Sequence, residues 1–148
     1  MWLPDWFKKR ITPPPIPEAR VSILALSLPL GDRFLLERLG EQHNWSLRVA
    51  DSPREGFRLA SQSHFEVILC DRHQPGYPWR EVMDRLAKSS PRSCVLLVSP
   101  VKEDHLWSDV LEQGGYDILI RPLREGVVLH VIDAAIRYVL PGASLGAH

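Results

Sequence analysis

Five short, predominantly apolar runs punctuate the chain, at residues 21–26, 45–50, 65–71, 94–99 and 116–120. A stretch with helical spacing follows each of them. Runs this short are strand-sized. Because they are largely apolar rather than alternating, they predict strands buried on both faces, which is the mark of a parallel sheet. The intervening segments supply the covering layers. Leu35, Leu36 and Leu39 mark a helix over 32–43, and Ser52-Pro53-Arg54-Glu55 is a helix start with a capping serine, a first-turn proline and a capping-box glutamate. Val82, Met83, Leu86 and Ala87 share one helix face. Leu106, Trp107, Val110 and Leu111 lie on the next helix, which ends at Gly114-Gly115. The clearest stripe is the last, Val127, Val128, Val131, Ile132, Ala135, Ile136 and Val139, stopped by Pro141-Gly142. The expected architecture is α/β, a doubly wound (βα)5 unit with helices on both sides of a five-stranded parallel sheet.

The chain of 148 residues accommodates one such domain, expected over 21–140. Residues 1–20 read differently: Trp2, Leu3, Trp6 and Phe7 stand beside Lys8-Lys9-Arg10, and Pro13-Pro14-Pro15 and Pro17 follow. They form an aromatic and basic arm with a stiff, proline-rich linker. Residues 141–148 are a short tail. Eighteen basic residues balance eighteen acidic ones, so no overall field favours nucleic acid, and no direct nucleic-acid binding is expected. No apolar run is long enough for a membrane span, and the arm lacks a signal-peptide core. Cys70 and Cys94 sit in apolar runs as small buried hydrophobes, too few for a disulfide framework. The histidines lack acid or cysteine partners at metal-ligand spacing. A cytoplasmic protein is the expectation.

In a doubly wound sheet the chemistry gathers beyond the carboxyl ends of the strands, here Ser27, Asp51, Asp71, Ser99 and Arg121. Asp71 closes the third run and Gln74-Pro75-Gly76 follows it. Ser99 closes the fourth run, and the fifth leads into Arg121-Pro122. In this order and spacing the segment from Val21 to Val139 resembles a response-regulator receiver domain, the CheY-like, flavodoxin-like three-layer sandwich of two-component phosphorelays. The resemblance implies that Asp71 is the phosphoacceptor and that His73, Pro75 and Gly76 form the loop beside it. It implies that Ser99 and Arg121 contact the phosphoryl group or take part in the switch.

The sequence departs from the pattern at three points. Where receivers carry two acids after the first strand, this chain has Ser27 and Leu28. Of the side chains, only Asp71 then remains for Mg²⁺, with the His73 carbonyl beside it, and Mg²⁺ prefers one or two carboxylates plus water. Asp32 is the nearest acid, but it falls in the first turn of the following helix and is not expected to substitute. The family's lysine is replaced by Arg121, whose planar fork suits a carboxylate. Arg121 is therefore expected to pair with unmodified Asp71 and fill the space of metal and phosphoryl group. Ile118 stands where many receivers have a switch aromatic.

The chain is thus read as a non-enzymatic pseudo-receiver without a cofactor, acting through protein contacts with a sensor histidine kinase, an effector chain or a second copy. A flavodoxin-like or nucleotide-binding enzyme domain is the alternative, although Ser27-Leu28-Pro29-Leu30-Gly31 makes a poor phosphate cradle. Trp79 is expected to be exposed or half-buried near Asp71, and with Tyr77 to form either a contact surface or a local lid over the site. A leftover apolar residue near Trp107 would suit dimerisation.

Overall fold

The computed structural model describes residues 20–140; residues 1–19 of the expected arm and linker, and the tail 141–148, lie outside the described residues. Strands β1 (Val21–Leu26), β2 (Trp45–Ala50), β3 (Val67–Asp71), β4 (Cys94–Ser99) and β5 (Asp117–Ile120) alternate with helices α1 (Leu30–His43), α2 (Pro53–Gln62), α3 (Trp79–Ser89), α4 (Leu106–Glu112) and α5 (Glu125–Val139). All strand pairs are parallel, in the order β2-β1-β3-β4-β5. The order reverses between β1 and β3, so the carboxyl ends of these two strands flank the crevice where such sheets work.

Successive side chains of a strand point to opposite faces, and in the central strands β1, β3 and β4 both faces are buried. Ile23, Ala25, Val67, Leu69, Leu96 and Val98 join Leu36 and Leu39 of α1 and Val128, Ile132 and Ala135 of α5 in one core. Leu24, Leu26, Ile68, Cys70, Val95 and Leu97 join Leu59 of α2, Val82, Met83 and Leu86 of α3 and Val110 of α4 in the other. This two-sided burial explains the predominantly apolar runs.

Local signals fix the joints. The Ser52 hydroxyl caps α2 by accepting from the Glu55 N–H at 3.2 Å, while the Glu55 carboxylate reaches the N–H of Asp51 at 3.4 Å, one residue before the expected capping-box partner. Gly114 ends the α4 segment with φ +85°, a left-handed conformation that favours glycine. On α4 the apolar residues divide between core and surface, and at Trp79 the expectation changes. Leu106 and Val110 face the core while Trp107 and Leu111 are 57% and 43% exposed, because residues four apart share a face. Trp79 is buried, since Trp79 opens α3 and packs with Val82 and Met83 instead of standing in the loop.

Both cysteines are free and buried. Burial, with Asp71 adding to it, pushes the Cys70 thiol up to about 12, and burial pushes Cys94 up to about 11. Val67 pairs with Cys94 and Cys70 with Leu97, so the sulfurs lie at opposite ends of adjacent strands.

Helix α2 packs on β1 through Gly56, where an added Cβ would lie 1.6 Å from Leu26 Cδ1 and 2.9 Å from Leu26 Cγ. A Gly56→Ala protein gains up to about 1 kcal/mol of helix propensity but forces a fully buried leucine to move, at about 1–3 kcal/mol. Gly56→Ala is therefore expected to lower the urea midpoint, whereas Gly31→Ala, whose Cβ meets nothing within 4 Å, is expected to leave or raise it. Equal midpoints for the two variants would refute this packing.

Candidate functional site

The carboxyl ends of β1, β3 and β4, with the residue after β5, surround a cleft of about 530 Å³ lined by Ser27, Leu28, Pro29, Asp71, Arg72, His73, Trp79, Pro100 and Arg121. The backbone sets each position. Arg72 N–H donates to the Val98 carbonyl and Arg121 N–H to the Ser99 carbonyl, both at 2.8 Å, so the sheet pairing continues one residue past the strand ends. Ser27 adopts φ +57° and its N–H donates to the Ala50 carbonyl at 2.9 Å. This turn delivers the chain into α1, with Asp32 in its first turn, where the helix dipole favours an acid.

Arg121 dominates the electrostatics. Its Nη2 donates to Asp71 Oδ2, and its Nε donates to Asp32 Oδ2 at 2.7 Å. The carboxylates are 6% and 14% exposed and the guanidinium 20%, so one cation sits between two nearly buried acids. Burial alone would lower the Arg121 pKa, but the hydrogen bonds and charges of Asp32 and Asp71 outweigh it and raise it. The expected Arg121–Asp71 pair is therefore present. Asp32, set aside on sequence grounds, is its second partner.

The remaining atoms of Asp71 are also engaged. Its Oδ1 accepts the His73 N–H at 2.7 Å, and its carbonyl accepts from Gln74 Nε2 at 2.6 Å. Tyr77 N–H donates to the Gln74 carbonyl at 3.1 Å, and Gly76 has φ +80°. Pro75 and Gly76 thus occupy the central positions that suit a type II turn. Arg72, also on the cleft, is paired with Glu103 across the loop after β4: its Nη2 donates to Glu103 Oε2 at 3.1 Å, and its Nη1 lies 2.6 Å from Glu103 Oε1. That loop also takes up Ser99, which is fully buried; its hydroxyl donates to the Val101 carbonyl at 2.7 Å and accepts from the Val101 N–H at 3.3 Å.

Of the two positions that would carry the receiver acids, Leu28 is buried in the core with α1 and α5. Ser27 lines the cleft, and its Oγ is buried without a hydrogen-bond partner. Ile118 packs against the opposite core, and Tyr116 lies before β5 against Tyr138, at 5.2 Å between ring centroids. Trp79 lines the cleft wall while the Arg80 guanidinium sits 4.6 Å from its ring centroid.

The Mg²⁺ implied by the receiver resemblance does not fit this arrangement. Both nearby carboxylates already hold the guanidinium, and the positive charge an ion would bring is supplied by Arg121. Among the described residues no three His, Cys, Asp or Glu side chains converge as a metal-binding group.

No model of a known protein family matches the sequence. The transcriptional regulatory protein YdfI of Bacillus subtilis (strain 168) is 25% identical over 114 residues, 77% of this chain and 48% of that protein, so the chain spans about half the length of this curated relative. Solved structures agree more closely in shape. A CheY-like response regulator receiver domain protein from Methanospirillum hungatei JF-1 superposes with TM-score 0.75 at 16% identity, covering 82% of this chain and 97% of that one. The chemotaxis response regulator CheY4 of Vibrio cholerae gives 0.71 at 16% identity over 79% and 99%. A structure named as adenylate cyclase from Rhodopirellula baltica gives 0.72 at 21% identity over 87% and 96%. Strand order, helix placement and these superpositions identify the fold of the chain as that of the CheY-like response-regulator receiver domain.

Proposed function

We propose that the chain is a pseudo-receiver, a two-component signalling module whose Asp71 pocket is closed by its own arginine and which passes information through protein contacts. The observation that carries this reading is the guanidinium of Arg121 held between Asp71 and Asp32. Phosphoryl transfer to Asp71 requires an approach to Oδ2, the oxygen Arg121 covers, or to Oδ1, which accepts the His73 N–H. It also requires a cation to offset the incoming charge, and the cation present is fixed to two acids. Ser99, turned into its own loop, contributes no hydroxyl to the cleft.

The partner surface proposed is α4 with the loop before it. Trp107 and Leu111, one turn apart, are exposed, and Val101 is 48% exposed. Large apolar side chains left on a surface suit a protein contact, and tryptophan is enriched among the residues that anchor such contacts. A second copy, a sensor histidine kinase or an effector chain are the partner classes. The named regulatory role of the Bacillus relative supports a signalling assignment, and among the described residues no helix is long and apolar enough to cross a membrane.

Incubation with Mg²⁺ and acetyl phosphate, followed by intact-mass analysis, is expected to leave the folded protein unmodified. A phosphoryl adduct that disappears in Asp71→Ala would overturn the proposal. For the surface, sedimentation of wild type is expected to show self-association that Trp107→Ser, an exposed and fold-neutral change, weakens. A wild type that stays monomeric at every concentration removes the second copy as a partner.

A further inference from the structure

We infer that the groove between α1 and α5 at the amino end of the sheet is the seat of the chain's own proline-rich segment, Pro13 to Pro17, with Ile16 as its apolar anchor. This is the end of the sheet opposite Asp71, and the inference is independent of the closed-pocket reading.

The groove is built from element ends. Val21 opens β1, Trp45 opens β2 and His43 closes α1. With Leu129 and Ile136 of α5 they line a concavity of about 500 Å³. Val21, Leu129 and Ile136 pack on the core but are only partly buried, and Trp45 belongs to the core itself. The His43 ring stands 5.7 Å from the Trp45 ring, between centroids. The walls are thus aliphatic and aromatic, and covering them with a chain segment removes apolar surface from water.

The tether selects the occupant. Arg20 Nε donates to Asn44 Oδ1 at 3.1 Å, and Asn44 directly follows α1, so the chain enters β1 beside the groove. Pro17 stands four residues before Val21, a reach of at most about 14 Å. So short a tether gives the segment a high effective concentration at the groove. Trp2, Trp6 and Phe7 lie fourteen or more residues from Val21, and the tether does not choose a place for them. Composition points the same way. Proline-rich segments have their extended geometry set in advance, lose little entropy on docking and settle in aromatic-lined grooves. Ile16 is the one residue from 13 to 17 that is not proline, and its side chain matches Leu129 and Ile136 in kind. The neighbouring groove is edged by Glu37, Glu41 and Asn44 and suits an apolar anchor less. Seating the linker would present the aromatic and basic residues 2–10 from a fixed point remote from the Asp71 cleft.

The test uses the full chain with methyl-labelled isoleucine, leucine and valine, and the Ile16 methyl is assigned by its loss in Ile16→Ala. Nuclear Overhauser cross-peaks are expected from Ile16 to the methyls of Val21, Leu129 or Ile136. Ile16→Asp, a change outside the core, is expected to shift the amide signals of His43, Trp45 and Leu129 and to leave residues 71–73 and 107–111 in place. An Ile16 methyl with no cross-peak to the groove, cross-peaks to the Trp107 surface instead, or an Ile16→Asp spectrum unaltered beyond residue 20 would each overturn the inference. A sample mixing copies labelled in isoleucine alone with copies labelled in leucine and valine alone tests the occupant. It is expected to lose the Ile16–Leu129 cross-peaks, and their persistence would assign the groove to a second copy's segment and overturn the intrachain seat.

Discussion

A guanidinium shared by two acids from different parts of the chain holds the working end of this domain together. Asp71 ends a fully buried strand, and a carboxylate there loses most of its hydration. Such a group persists in its charged form only when a partner and good hydrogen bonds replace the water. Arg121 supplies the partner, and the His73 N–H supplies a further bond. The pairing needs arginine. Nε and Nη2 are separate donors fixed in one plane, so one side chain serves Asp32 and Asp71 at once, a geometry a lysine ammonium on its flexible stem does not enforce. The ends of β3 and β5 and the start of α1 are thereby tied through a single residue.

The sheet makes this possible by controlling where chains end. The central strands β3 and β4 are covered on both faces, so their polar groups are confined to the ends, and the register places Asp71 opposite Val98 and Ser99 opposite Ile120. Arg121 follows Ile120 directly and is fixed by its N–H to the Ser99 carbonyl. The fold thus brings the strand-end residues together, and those standing there form an ion cluster of Arg121 with Asp71 and Asp32. Ser99 illustrates the same point: the hydroxyl that could face a phosphoryl group instead satisfies the backbone of its own loop.

Much of the architecture was legible because two-sided burial writes itself into sequence as predominantly apolar runs, and all five strands lie within the segments read that way. The pairing of Arg121 with Asp71 was legible from side-chain shape and from the spacing of strand ends. Asp32 was not, because its role depends on how the turn at Ser27 and Pro29 aims the first turn of α1, and sequence separation carries no trace of that direction. Trp79 was misplaced for a related reason: Pro75, Gly76 and Pro78 read as loop, and the helix begins immediately after the last of them. The exposure of Leu111 follows from helical phase, since Leu106 and Val110, four apart, take the core face of this helix.

The most direct measurement is the side-chain ¹H–¹⁵N spectrum of the arginines, with the Arg121 Nε–H assigned by its loss in Arg121→Lys. A guanidinium fixed between Asp32 and Asp71 should give a shifted, slowly exchanging Nε–H signal that Mg²⁺ leaves in place and Asp32→Asn moves. An Arg121 signal that exchanges like that of a free arginine, or that disappears on addition of Mg²⁺, would show that the pocket is open and that the guanidinium does not close it.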